Sequence, residues 1–408
     1  MKAISLITAT PPSFNPGMLT CEATGKWFLS SKGLFESSKF FRIQSLSDRI
    51  KVCDFEMQSV IQSNCEHGIK YNLLTNPDQL HGTIPLFWGD FLHMHLYIKT
   101  IKPTWAKDKS DIRKILLLEG ASPEIMKNTI SYATSILFNT TADYYSKEYG
   151  DSLYSFVSNI HHIQMRDAIS ATIVGSMRPE IENCMGIDAA QLLSLDECAQ
   201  DILGIPLYNI AKSSPKRALI FFARGKHSED LVRPFIDELL IAINLKAEWL
   251  AWGDRISFPY MEEAWYDLSQ TPQKSDLKQS DLKNILSTVV AASVVITDTY
   301  HLCAISWALG IPAVLISGIY HEQEIQGKGL NIRVRNDKRK VLMGQDGLLD
   351  FYIEPHLMIE VGTRNKIVER LRRAIVDDSF ALHFRKLLAV KTRKSEKALL
   401  NAINELCT

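Results

Sequence analysis

The sequence predicts an α/β protein of two Rossmann-like parallel-sheet domains facing a cleft, followed by C-terminal helices. Three observations lead there. Short apolar runs recur along the chain, each followed by a polar turn and then by apolar residues at helical spacing, which is the pattern of βαβ units. A strand, a helix and their turns take roughly 30 residues. The 408 residues therefore hold too many such units for one ordinary sheet. The stretch "GIPLYNIAKSSPKRA", residues 204–218, breaks the alternation with two prolines and a Ser-Ser-Pro-Lys cluster, and reads as a linker.

In chain order, the first-half strands are expected in "AISLITA" (3–9), "TIPLFW" (83–88), "KILLLEG" (114–120) and "IHHIQM" (160–165). The second half offers "RALIFFA" (217–223), "AEWLAW" (247–252), "VVIT" (294–297) and "PAVLIS" (312–317). From residue 365 on, apolar residues at three- and four-residue spacing mark amphipathic helices with Lys and Arg on the wet face. The expected division is 1–207, 208–365 and a helical tail 366–408. "KSDLKQSDLK" (274–283) is an echo too short to signal a repeat architecture.

Composition excludes several classes. Hydrophobic residues make up 46% of the chain, enough for a real core. Forty-six basic residues balance 46 acidic ones, so no general affinity for nucleic acid is expected, and a phosphate-bearing small molecule needs only a local basic site. The seven cysteines, Cys21, Cys53, Cys65, Cys184, Cys198, Cys303 and Cys407, form no CxxC pair, which suggests neither a zinc site nor a disulfide framework. "KAISLITA" after Met1 lacks the features of a secretion signal, and the reading is cytoplasmic, with the inner face of the membrane as an alternative station for the basic helices. GxGxxG, Walker and GxSxG motifs are absent from the sequence.

In parallel sheets ligands bind beyond the carboxyl ends of the strands. "VVIT" ends in Thr297, Asp298, Thr299, Tyr300 and His301 before the helix "LCAISWALG". Thr297 or Asp298 can cap that helix, whose first-turn amides favour an anion, and His301 falls on its first turn. The bland alternative makes Asp298 only a cap and His301 only a hydrogen-bonded histidine. "FWGDFLHMH" (87–95) supplies Asp90 as a base or sugar-hydroxyl partner, with Trp88 and Gly89 expected to face the cleft beside it; its His93 and His95 diverge on a helix, so no metal is expected there. "FFARGKHSED" places Arg224, Lys226 and His227 after a strand, and "IYHEQEIQGKGL" places His321 and Lys328 after another.

Two blocks resemble the polysaccharide pyruvyl transferase family. "LKNILSTVVAASVVITDTYHLCAISWALGIPAVLIS" is similar to its strand, Thr/Ser-Asp-Arg-Leu-His turn and helix ending in Gly-x-Pro. "IHHIQMRDAISATIVGSM" with "CMGIDAAQLLS" is similar to its Arg-Asp-x-x-Ser helix start and later Asp-Pro-Ala-like segment, at Arg166, Asp167, Ser170 and Asp188. The resemblance implies a GT-B-like fold and transfer of a pyruvyl group from phosphoenolpyruvate to a glycan or lipid-linked sugar, with no bound cofactor. It implies His301 as a catalytic residue at the donor, with donor contacts from Asp298, Thr299 and Tyr300 supplemented by Arg224, Lys226 and His227, and an acceptor side with Asn15, Gly17, Arg166 and Asp167. Three departures stand out: Thr299 replaces the family's arginine, Met18 replaces an aspartate, and residues 87–95 replace a glycine-rich loop. Uncharged Thr299 suits a sugar or ribose, which makes a GT-B glycosyltransferase with a nucleotide-sugar donor the alternative, and a non-catalytic glycan-binding member a third reading.

Overall fold

The computed structural model describes residues 2–9, 15–44, 68–137, 139, 141–181, 184–204, 206, 217–222, 229–250, 252, 281–317 and 338–408. They form two compact units: residues 1–14, 18–189 and 391–408 in the first, residues 15–17 and 190–390 in the second. The sequence division at 207/208 and the structural one at 189/190 thus differ, and the last 18 residues belong with the first unit.

The first unit carries β1 (Ala3–Thr8), α1 (Pro16–Ser31), β2 (Lys39–Arg42), β3 (Tyr71–Leu73), β4 (Thr83–Trp88), α2 (His95–Thr100) and α3 (Lys109–Leu116). It continues with α4 (Pro123–Lys127), β5 (Ile130–Thr134), α5 (Thr141–Tyr144), α6 (Tyr149–Asn159), β6 (His162–Met165) and α7 (Ala168–Met177). All neighbouring strands are parallel, in the order β3-β2-β1-β4-β5-β6. Ala3 pairs with Thr83 and Ile7 with Phe87 at the centre. Every residue of β4 and β5 is buried, as expected when helices cover both faces. Ile7, Phe87, Phe156 and Ile163 lie in one apolar cluster with the inner faces of α3 and α6.

One sequence expectation fails here. "KILLLEG" is the end of helix α3 and a turn, not a strand. The Asp108 carboxylate accepts the amides of Ser110 and Asp111, and Ile112, Ile115 and Leu116 fall on a single buried face. The neighbouring strand is "ISYAT", in which Ala133 at φ 59° makes a bulge that shifts the pairing from Tyr132 to Thr134.

The second unit contains α8 (Asp196–Leu203), β7 (Arg217–Phe221), α9 (Glu229–Ile243), β8 (Lys246–Trp249), α10 (Leu282–Val290), β9 (Val294–Thr297) and α11 (Tyr300–Ala308). β10 (Ala313–Ile316), α12 (Lys338–Gln345), β11 (Tyr352–Ile353), α13 (Val361–Val376) and the first part of α14 (Asp378–Cys407) complete it. Its sheet is also wholly parallel, in the order β11-β10-β9-β7-β8. α11 ends where Gly310, at φ 81°, lets the Ile311 amide return to the Ser306 carbonyl at 2.8 Å. Among the described residues, no helix is long and apolar enough to cross a membrane.

Strand order reverses between β1 and β4 in the first sheet and between β7 and β9 in the second. Crevices beyond the carboxyl ends of strands at such reversals are where doubly wound sheets bind ligands. The loops after β4 and β9 are therefore the places to look.

Candidate functional site

After Trp88 the chain turns through two residues in the left-handed region, Gly89 at φ 70° and Asp90 at φ 58°. Glycine adopts this conformation freely, whereas an aspartate is held in it against a preference. The Gly89 amide donates to the Tyr132 carbonyl at 2.8 Å, which fixes the turn. Asp90 then faces Arg166, with its Oδ1 4.0 Å from Nη1, and Asp188 Oδ2 lies 3.4 Å from the same nitrogen. The guanidinium sits over the Phe91 ring at 4.1 Å. Arg166 and Asp188 are each 1% exposed and Asp90 is 7% exposed. Asp90 Oδ1 is buried without a hydrogen bond among the described residues. One buried cation thus faces two carboxylates, a setting that can accept hydrogen bonds from a ligand hydroxyl.

Cys21 of α1 places its sulfur 4.0 Å from Asp188 Oδ1. Burial, and then the Asp188 charge, push its thiol up, which disfavours the thiolate. Next to it, Glu22 pairs with Arg42 through three contacts of 2.7–3.0 Å and accepts from Thr8 at 3.1 Å. Arg42 stacks on Tyr71 at 3.6 Å. Burial pushes the Glu22 carboxyl up while Arg42 opposes it, and the group ties α1 to the ends of β1, β2 and β3.

Two residues expected in the cleft are structural instead. Trp88, 1% exposed, lies between Phe28 and Tyr132 and donates to the Cys21 carbonyl at 2.8 Å. Its aromatic surface fills the core. Asp167, fully buried, caps α7 through the Ser170 amide at 2.8 Å and accepts the hydroxyls of Ser135 at 2.6 Å and Ser170 at 2.7 Å. Both of its oxygens serve the fold.

In the second unit the N-cap of α11 is Thr299, without a side-chain cap bond. Thr297, offered by the sequence as the cap, accepts the Thr299 amide at 3.0 Å, and Asp298 accepts the Thr299 hydroxyl at 3.2 Å. The first intrahelical bond runs from Cys303 to Thr299, so the Tyr300, His301 and Leu302 amides stand at the positive end of the helix. His301 is half-buried on the first turn, 5.4 Å from the Tyr300 ring. Tyr300 is mainly a packing residue, 6% exposed and clustered with Ala304 and Leu342.

Arg339, which the sequence reading passed over, is fully buried and donates to the Asp298 carbonyl at 2.6 Å. Its signal was the basic run 333–340 ahead of a helical pattern. Asn15 accepts the Gly17 amide at 3.1 Å and starts α1, and both cluster with the second unit. A Cβ built on Gly17 would lie 2.5 Å from the His301 Cβ, so glycine is needed for that close approach. Arg224, Lys226, His227, His321 and Lys328 lie outside the described residues. A helix start with an adjacent cation and a histidine can hold a phosphate or carboxylate.

The two wholly parallel α/β sheets, each with its polar cluster at a strand-order reversal, define the class: a GT-B-like fold. No protein-family model matches the chain, and no curated protein does. Among solved structures, a UDP-GlcNAc 2-epimerase from Neisseria meningitidis bound to UDP-GlcNAc is similar over 99% of this chain and 100% of its own, at 11% identity and a TM-score of 0.53. A co-structure of S. aureus MnaA with UDP matches 94% of this chain and 90% of its own, at 11% identity and a TM-score of 0.46.

Proposed function

We propose that the protein is a transferase of nucleotide-sugar chemistry, a GT-B-like glycosyltransferase with a glycan or lipid-linked sugar as acceptor. The observation that carries the reading is the start of α11, where first-turn amides, His301 and the buried Arg339 meet at the carboxyl end of β9. That arrangement suits the diphosphate of a donor, and Thr299 suits its ribose or sugar. Likeness to a fold crystallised with UDP-GlcNAc supports the choice of donor class. On the first unit, Asp90 and Arg166 are assigned to the acceptor's hydroxyls. The reading needs no tightly held cofactor.

A second reading, pyruvyl transfer from phosphoenolpyruvate, draws on the "ITDTYH" and "MRDAIS" blocks. Phosphoenolpyruvate brings the same anionic chemistry to α11. A melting screen with UDP, UDP-sugars, other nucleoside diphosphates and phosphoenolpyruvate separates the two, since a ligand at 100 times its Kd adds about 2.7 kcal/mol of stability. Stabilisation by nucleotides is expected. Stabilisation by phosphoenolpyruvate alone favours the second reading, and none by either class refutes both. His301→Ala is expected to keep the fold and to lower turnover by roughly 10²–10⁴-fold. An alanine variant with wild-type turnover removes His301 from the site.

A further inference from the structure

Three segments bring the charged cluster of the first unit together, and the backbone fixes each of them. The Arg166 amide, just past the end of β6, donates to the Thr134 carbonyl at 2.9 Å. Beside it, residues 184–186 join β6 through a parallel bridge between Met165 and Met185. Met165 donates to the Cys184 carbonyl and accepts the Gly186 amide, both at 2.7 Å. A Cβ on Gly186 would lie 3.0 Å from Gln164 Cβ and 3.1 Å from the Met165 carbonyl oxygen, so a side chain there would push away the segment that delivers Asp188. The left-handed turn after β4 delivers Asp90.

The guanidinium is shared unequally, at 3.4 Å from Asp188 and 4.0 Å from Asp90. Asp90 keeps its Oδ1 buried without a hydrogen bond among the described residues, while 9% of its side-chain surface still reaches solvent. Cys21 reports the field inside the cluster. On its thiol the Asp188 and Asp90 charges each act more strongly than that of Arg166, and in the opposite sense. The space next to Asp90 is therefore negative. A buried carboxylate in this state is costly, and a cation that pairs with it recovers the most. A neutral hydroxyl supplies only a hydrogen bond, whereas an ammonium supplies the bond and the charge.

We propose that the site of the first unit takes a primary ammonium group of its ligand at Asp90 Oδ1, which makes a sugar with a free amine the chemical class of the acceptor. This rests on the acceptor assignment made above for Asp90 and Arg166. The ammonium donates one N–H to Oδ1, and a neighbouring hydroxyl of the same sugar falls to Oδ2. An N-acetylated sugar presents a neutral amide there and loses the charge. A uronic acid brings another carboxylate into a negative site and is rejected.

Isothermal titration of the full chain, with no donor present, tests the proposal using D-glucosamine and D-galactosamine, each beside its parent sugar and its N-acetyl form. The free amines should bind about tenfold tighter than the parent sugars, the usual gap between a charged and a neutral hydrogen bond. Asp90→Asn should abolish that preference. Asparagine tolerates the left-handed conformation as aspartate does, so the variant should fold, which its melting curve checks. Equal affinity for amine and parent, no binding of either amine, or an unchanged preference in Asp90→Asn overturns the proposal. The ranking of sugars by the wild type decides it even if that variant does not fold. Selective amine binding without stabilisation by any nucleotide leaves this site standing while the transferase reading falls. Stabilisation by nucleotides with no preference for amines does the reverse.

Discussion

Acidification should loosen the first unit through His93, which shares the loop that carries Asp90 and His95. His93 is 1% exposed, with Nδ1 donating to the Leu116 carbonyl at 2.7 Å and Nε2 accepting from Ser131 at 2.9 Å. Both contacts suit a neutral ring. Burial lowers its pKa from 6.5 to about 4, with the Leu116 carbonyl opposing the shift. The unfolded chain thus binds a proton that the folded one refuses, and the stability present above pH 6.5 is lost as pH falls towards 4. With these two values the loss is about 2 kcal/mol at pH 5 and about 3 kcal/mol at pH 4. Hydrogen exchange of the β4 and β5 amides in increasing urea, at pH 7.5 and pH 5, reads the effect where it acts. His93→Gln should start lower by roughly 1–3 kcal/mol, since it leaves a buried partner unmet, but should lack this part of the pH dependence. A His93 resonance titrating near 6.5, or equal pH dependence in both proteins, would refute the reasoning.

Two further substitutions probe the ends of the strands. Arg166→Met leaves Asp90 and Asp188 buried without their shared cation and should destabilise by roughly 3–5 kcal/mol in chemical denaturation; adding Asp188→Asn should restore part of that. Gly17→Ala forces the His301 ring aside, because the new methyl meets its Cβ and Cγ and not a flexible tip. We expect about 1–3 kcal/mol lost and a changed His301 NMR signal, and an unchanged signal would show that the close approach does not hold in solution.

Much of the fold was legible because strand signals are local. "TIPLFW" and "VVIT" are strands residue for residue, each an apolar run closed by a polar turn. "KILLLEG" misled because a short apolar run reads alike as a buried strand or a helix end, and the deciding Asp108 cap lies six residues upstream. "ISYAT" hid because Ser131 and Thr134 dilute its apolar pattern, and their hydroxyls bond to each other at 2.8 Å inside the sheet. The site was legible where strand, turn and helix start are consecutive, as at Asp298 to His301. Arg339 was not, because only folding brings it to Asp298, 41 residues away in sequence. Trp88 and Asp167 were read as facing a cleft because sequence places them at strand ends without saying which way they turn. The donor is beyond such reasoning, since phosphate and carboxylate suit the same helix start.

The return of residues 391–408 to the first unit has a consequence for synthesis. Residues 391–408 belong to the first unit, where Ser395 donates to Tyr132 and Gln164, and Glu396 pairs with Lys32 at 2.6 Å. Leu399 and Ile403 are wholly buried there. A ribosome makes the strands of the first sheet well before this helical segment, at about 5–20 residues per second. For at least ten seconds by that rate the nascent first unit must persist without one of its packing partners, with the pockets for Leu399 and Ile403 open to water. Its assembly waits on residues that follow in sequence after the whole of 190–390, so a premature stop ahead of residue 391 would strike the unit whose sheet was translated first.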